Sequence, residues 1–484
     1  MCAEKKYITK DFRPQRVLKH FEDICAIPHG SGNEWALSDH IIAMAQTKGY
    51  EYVRDEGGNL LVRVPASHGC EKAAPFLLQG HLDMVCAKNE GVTLDMKKEP
   101  VQLVLEGNIL RADGTTLGAD NAVGLCNMMA LMEADDLRHP PLELLFTTRE
   151  EIGLVGIQEF DMSQIRSRRM INMDMGDPDC MVIGSAGSAK FDLEKTCRET
   201  PCAEKVLKIA ISGLRGGHSG LLAGKNHTSA LHLAGDVLGQ LCDVQAVRLK
   251  KLETPGGGNS IPQAANLWVA VPDVAAAEAQ LQDLARHFTK ELPEEPGFAM
   301  TVTAAESGPC ATAEETRALA DFMVLVPYDV TVRNTQHPEW VLCSALLMSA
   351  AYNNGQFTGF LATRGNRDEY FTDMKLKIDT LCRMTGVKAK QRAPWVPAWP
   401  EATDTPLQKL CRDIFREQCG SEMALEVEHG TVEVGIIAQL IPDMDIVGFA
   451  PKSRGAHTPQ EYLCLDTMEP FWNHLTELLS RLCD

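Results

Sequence analysis

Five times in this chain a short apolar run, or a glycine turn opening an apolar helix, ends beside a side chain able to hold a metal ion. PFLLQG leads into HLDMV at 81–85, and ILRADGTTLGAD leads into NAVGL. PLELLFT leads into TREEIG, RRMINM into DMGDPD, and MDIVGFA into a loop carrying His457. Apolar runs of this length, bounded by glycine and polar residues, read as buried strands. In open α/β sheets, ligands bind beyond the carboxyl ends of such strands. One segment alone would mean little. His81 with Asp83 is a common surface pairing, Asp120 alone is an ordinary helix N-cap, and Glu150–Glu151 alone is an ordinary solvated strand end. Their repetition asks for a layered α/β fold in which several strand ends share one rim.

At 484 residues the chain is too long for one core, and two domains are expected. Residues 13–28 and 34–48 carry apolar side chains at helical spacing, the second stretch stopping at Gly49. YEYVRD, NLLVRVP and PFLLQG follow as strands. From about 187 a second α/β region begins, with strands in VLKIAISG, LWVAVPD and TGFLATR and helices in LHLAGDVLGQLCDV and DVAAAEAQLQDLARHF. The Pro- and Trp-rich KQRAPWVPAWPEATDTP reads as the return linker. The expected organisation is a first domain over 1–187, an inserted domain over 188–391, and a return to the first over 392–484.

Net charge is −19, from 47 Lys and Arg against 66 Asp and Glu. That balance disfavours nucleic acid and anionic membranes, which need cationic patches. No apolar run reaches the length of a membrane span, and the polar N-terminus lacks the apolar core of a signal peptide. A cytoplasmic location is expected. The sixteen cysteines are scattered without a CxxC pair, and reduced thiols acting as small apolar residues are expected.

The five metal-capable residues are His81, Asp120, Glu151, Asp174 and His457. Two imidazoles and three carboxylates suffice for two divalent ions, with one bridging carboxylate and a shared water. Mixed nitrogen and oxygen ligands suit zinc better than calcium or magnesium. Asp120, at the head of an apolar helix, is the natural bridge. Asp83, two residues after His81, can take the second imidazole N–H and fix the tautomer. Alternation along a strand aims Glu150 and Glu151 differently. Glu151 then ligates, while Glu150 serves as general base and acid for a metal-activated water.

With PFLLQGHLDMV, TLGADNAVG, TTREEIGLVG, INMDMGD and the late GAH in this order, the chain resembles the co-catalytic zinc metallopeptidases. That family includes aminoacylases, glutamate carboxypeptidases and bacterial dipeptidases. GLRGGHSG, GGNSIP and EHGTVEVGII extend the resemblance over nearly the whole chain. It implies a three-layer α/β zinc-peptidase domain interrupted by an inserted α/β lid. It places His81, Asp120, Glu151, Asp174 and His457 on the ligand positions, Asp83 and Glu150 on the two catalytic acids, and a cis peptide at Asp120–Asn121. In the lid, His218 resembles an oxyanion-stabilising residue, and Asn259, Arg364 and Gly430 resemble substrate-binding ones; the residues around Arg364 depart from the family pattern.

The expected activity is hydrolysis of unblocked dipeptides with C-terminal histidine, such as β-Ala-His, by two Zn2+ per chain, with Mn2+ or Co2+ as alternatives. A homodimer is expected. The same metal chemistry would serve an N-acyl amino-acid deacylase. A non-catalytic metal-binding assembly protein would lack a ligand or the base, and all seven positions are filled.

Overall fold

The computed structural model describes residues 6–256, 260–393 and 395–484. The chain forms two compact units. The first comprises 1–184, 401–427 and 432–484, and the second 185–400 with the four residues 428–431. Among the described residues no helix is long and apolar enough to cross a membrane.

The first unit is built on an eight-stranded mixed sheet. Its centre is parallel: Phe76–His81 lies between Leu142–Thr147 and Arg169–Asn172, and Asp445–Gly448 runs parallel to Arg169–Asn172. Phe76–His81 and Leu142–Thr147 are buried at every position, as a sheet covered on both faces requires. That is why FLLQGH and LELLFT read as continuous runs rather than alternating ones. Helices Gln15–Cys25, Trp35–Lys48 and Ala119–Glu133 pack together, the last against Phe76–His81. Pro406–Cys419 packs on Asp445–Gly448 and pairs with Met468–Arg481. Trp35–Lys48 ends at Gly49, whose φ of 70° supplies the left-handed cap.

A four-stranded sheet completes this unit in the order Ser453–Arg454, Tyr462–Cys464, Ile109–Ala112, Leu103–Glu106. It pairs the segment leading to Asp120 with the segment following His457. Cys70 and Cys483 form a disulfide, with Cα atoms 5.1 Å apart. This departs from the expectation that every thiol is reduced: Cys70 sits in a turn that the fold brings against the end of the last helix.

The second unit is a nine-stranded antiparallel sheet. Helices Ala230–Val244, Val274–Glu291, Ala313–Leu325 and Asp368–Thr385 share its main hydrophobic core, which includes Leu238, Phe322, Tyr352 and Phe357. Its longest pair, Val341–Asn353 and Gln356–Gly365, is joined by Asn354 and Gly355. Both have positive φ (49° and 76°), as a two-residue hairpin matched to strand twist requires.

Candidate active site

Four parallel strands of the first unit end at one rim, and each delivers acid or imidazole side chains there. His81 is the last residue of its strand, Glu150 and Glu151 follow Leu142–Thr147, Asp174 follows Arg169–Asn172, and the loop with His457 follows Asp445–Gly448. Asp120 arrives from the small sheet through Gly118, whose φ is 76°. The peptide Asp120–Asn121 is cis.

The structure brings these side chains into contact. His81 Nε2 lies 2.9 Å from Asp120 Oδ1 and 3.2 Å from Asp174 Oδ1. His457 Nε2 lies 2.9 Å from Glu151 Oε2 and 3.4 Å from Asp120 Oδ2. Asp120 therefore faces both imidazoles, one with each oxygen. Ligand atoms of His81, Asp120 and Glu151 all fall within 4.8 Å of one another. Glu151 Oε1 is buried without a hydrogen-bond partner. A buried carboxylate oxygen left bare among imidazoles and carboxylates fits a divalent cation as its missing partner.

The Asp83 carboxylate does not take the His81 N–H, although their spacing leads one to expect it. The Nδ1–H of His81 goes to the main-chain carbonyl of Asp83 at 2.9 Å, while the nearest carboxylate oxygen stands at 3.6 Å, beyond hydrogen-bond range. That carboxylate is occupied elsewhere. It accepts the main-chain N–H groups of Glu150 (2.9 Å) and Glu151 (3.2 Å) and the hydroxyl of Ser31 (2.8 Å). Asp83 thus ties the His81 strand end to the turn that carries both glutamates.

The electrostatics follow from crowding acids with two imidazoles. Burial pushes the Asp120 carboxyl up, but the hydrogen bonds from His457 and His81 outweigh it and hold Asp120 well below the usual range. Asp120 and Glu151 raise His457 to about 11. Burial raises Asp174 to about 7, against the pull of His81. Burial also raises Glu150, and the nearby charges of Asp174 and Glu151 add to it. A carboxyl held high by desolvation is equipped to take up and release a proton.

Of the remaining expected residues, three belong to the second unit and Asn259 lies outside the described residues. His218 Nδ1 accepts from the main-chain N–H groups of Gly220 (3.3 Å) and Leu221 (3.2 Å). The Arg364 guanidinium donates to Thr431 Oγ1 at 3.0 Å; burial lowers it to about 10, with Glu428 opposing. The main-chain N–H of Gly430 donates to Glu428 Oε1 at 3.2 Å. A Cβ on Gly220 would stand 2.9 Å from both Arg364 Nε and the His429 carbonyl, so glycine there lets the GGHSG loop close onto them. His429 itself is buried, its Nε2 2.7 Å from Ser344 Oγ, and burial lowers it to about 3, so it is neutral.

Three further residues, Asn121, Glu433 and Glu461, reach the same strand-end rim. Asn121 Nδ2 donates to Asp174 Oδ1 at 2.9 Å and to the Met173 carbonyl at 2.7 Å. Glu433 accepts from Gln79 and Thr147 beneath the rim. Glu461 reaches the Asp120 turn. The sequence signal for Asn121 and Glu461 is proximity, Asn121 after Asp120 and Glu461 four residues after His457, while Glu433 lies within EHGTVEVGII.

Comparison with known proteins gives this geometry its context. The model of peptidase family M20/M25/M40 matches residues 77–481. The cytosol non-specific dipeptidase of Escherichia coli is 28% identical over 97% of this chain and 98% of that protein. The crystal structure of aminoacylhistidine dipeptidase from Vibrio alginolyticus superposes with a TM-score of 0.85 at 26% identity, covering 98% of both chains. Human carnosine dipeptidase 1 shares the fold at a TM-score of 0.53 and 15% identity, covering 96% of both chains. The chain belongs to peptidase family M20/M25/M40 and is a peptide-bond hydrolase.

Proposed function

We propose that this chain is a metal-dependent dipeptidase that hydrolyses unblocked dipeptides, those with C-terminal histidine such as β-Ala-His foremost. The observation that carries the reading is the meeting of His81, Asp120, Glu151, Asp174 and His457 at one strand-end rim, with Asp120 facing both imidazoles. The full-length likeness to the Escherichia coli and Vibrio dipeptidases supports the substrate class.

In this reading the five residues would hold two zinc ions, or manganese or cobalt, which when bound would lower the pKa of a water and polarise the substrate carbonyl. His81, its ring aligned by the Asp83 carbonyl, and Asp174, held by Asn121, serve one ion. His457 and Glu151 would serve the other, with Asp120, which faces both imidazoles, available to each. Glu150 takes the proton from the attacking water as its oxygen bonds to the carbonyl carbon. It then delivers that proton to the leaving amine as the C–N bond breaks. Asp83 keeps Glu150 in place through its main-chain N–H. His218 stabilises the tetrahedral oxyanion, Asn259 and Gly430 contact substrate, and Arg364 clamps the C-terminal carboxylate. The active protein is a cytosolic homodimer.

A panel of free dipeptides beside N-acetyl amino acids tests the reading. It expects β-Ala-His and related dipeptides to be cleaved and acetylated amino acids to be spared. Preferential release of acetate would make the protein a deacylase instead.

A further inference from the structure

We propose that Glu461 is a positioning residue that locks Asp120 and His457 into metal-binding register. Glu461 is 2% exposed, and its carboxylate takes three main-chain N–H groups from one turn. Oε2 accepts from Leu117 at 2.8 Å and Gly118 at 2.9 Å, and Oε1 accepts from Asp120 at 3.1 Å. This turn passes through the left-handed Gly118 and ends in the cis peptide after Asp120. Its amide groups point inward with no carbonyl of a helix or strand to receive them, so a buried acceptor is required.

The acceptor comes from the loop that carries His457. Glu461 follows His457 by four residues, and its own N–H closes a turn onto the Thr458 carbonyl at 3.1 Å. Tyr462–Cys464 then pairs with Ile109–Ala112, the strand that leads into the Asp120 turn. At its other end the loop is held by Arg454, whose two terminal nitrogens meet the two oxygens of Asp177 at 2.9 and 2.5 Å. His457, with a positive φ of 67° and a half-exposed side chain, has little packing of its own to fix it. Beside the His457–Asp120 side-chain contact, the Glu461 carboxylate therefore ties the main chain at Asp120 to the segment that holds His457.

The inference rests on the proposed metal-ligand roles of Asp120 and His457. The three hydrogen bonds that the Glu461 carboxylate accepts all come from main-chain N–H groups, so it acts through the ligands and not on substrate. Glutamine at 461 would keep one acceptor oxygen but turn an NH2 toward an N–H of the turn, setting donor against donor. Aspartate would keep the charge one methylene short.

The test is calorimetric titration of metal-free protein with zinc, for wild type, Glu461→Gln and Glu461→Asp, with thermal unfolding of the metal-free forms beside it. Wild type that binds no zinc would sink the metal reading itself. If wild type binds, the inference expects Glu461→Gln to weaken the weaker site at least tenfold and Glu461→Asp to lie between. Excess metal is expected to return kcat to near the wild-type value, because no group that touches substrate has changed. Folded Glu461→Gln with wild-type affinity, or a kcat that excess metal does not restore, would overturn it. Should neither variant fold, amide exchange on wild type decides. The N–H groups of Leu117, Gly118 and Asp120 are expected to be protected without metal and slowed further by it, and exchange at open-loop rates would overturn the inference.

Discussion

Glu433 offers a sharp quantitative test of how the rim is supported. Its side chain is buried beneath the strand ends, where Oε2 accepts from Gln79 Nε2 at 2.5 Å and Thr147 Oγ1 at 2.6 Å. Gln79 in turn accepts from Asn172 Nδ2 at 2.6 Å, and Asn172 Oδ1 accepts the Asp174 N–H at 3.1 Å. Glu433 Oε1 has no partner. Burial raises this carboxyl to about 8 from an ordinary 4.5; Thr147 and His81 oppose the rise, and Asp174 and Asp83 add to it. Between pH 4.5 and 8 the folded chain keeps a proton that the unfolded chain has lost. Stability therefore falls as pH rises through that window, by about 1.4 kcal/mol per unit and about 5 kcal/mol in all. Glu433→Gln cannot ionise and keeps an acceptor for both partners. The assay is denaturant unfolding of metal-free wild type and Glu433→Gln from pH 5 to pH 9. At pH 5 the two are expected to agree within about 1 kcal/mol, the scale of one exchanged hydrogen bond. The variant then gains steadily, reaching several kcal/mol by pH 8. A difference that stays flat with pH would show that Glu433 is ionised in the folded state, and the account of this buried carboxyl would be wrong.

Other expectations follow from single contacts. Phe146, fully buried in the central strand Leu142–Thr147, is expected to cost about 3–5 kcal/mol on truncation to alanine, read from the denaturant midpoint. Arg364→Lys loses the planar fork and is expected to raise KM about tenfold with a smaller effect on kcat; an unchanged KM would remove Arg364 from substrate binding. Peptide mapping of unreduced protein is expected to recover Cys70 and Cys483 linked, and finding both as free thiols would contradict the pairing.

What could be read from sequence was what local pattern encodes. FLLQGH is buried throughout because its strand is covered on both faces; Gln79 within it is satisfied by Glu433 and Asn172, and His81, which ends it, lies at the rim. The helix over 34–48 was legible from its spacing and from Gly49. The antiparallel strands containing KIAIS, LWVAV and TGFLATR were legible as β-rich runs between turns. What escaped depends on contacts between distant segments. Glu461 and Glu433 look like surface acids until the fold puts main-chain N–H groups and buried amides around them. Asp83 stands two residues after His81, a spacing that suggests a carboxylate–imidazole bond. Only the turn of the main chain shows that the carbonyl takes that bond and the carboxylate serves the next strand end. The grouping of Glu428–Thr431 with the second unit and the Cys70–Cys483 pairing likewise arise from tertiary approach, on which local composition is silent.

The central claim is that five side chains from separate strand ends hold metal ions that, with Glu150, cleave a dipeptide. The most direct measurement is β-Ala-His hydrolysis by metal-stripped protein as zinc is added stepwise, with Glu150→Ala carried through the same titration. The account predicts no hydrolysis without metal, activity rising until two equivalents are bound, and Glu150→Ala that binds both ions yet turns over at least a hundredfold more slowly. Hydrolysis by fully stripped protein, or by metal-loaded Glu150→Ala at the wild-type rate, would contradict it.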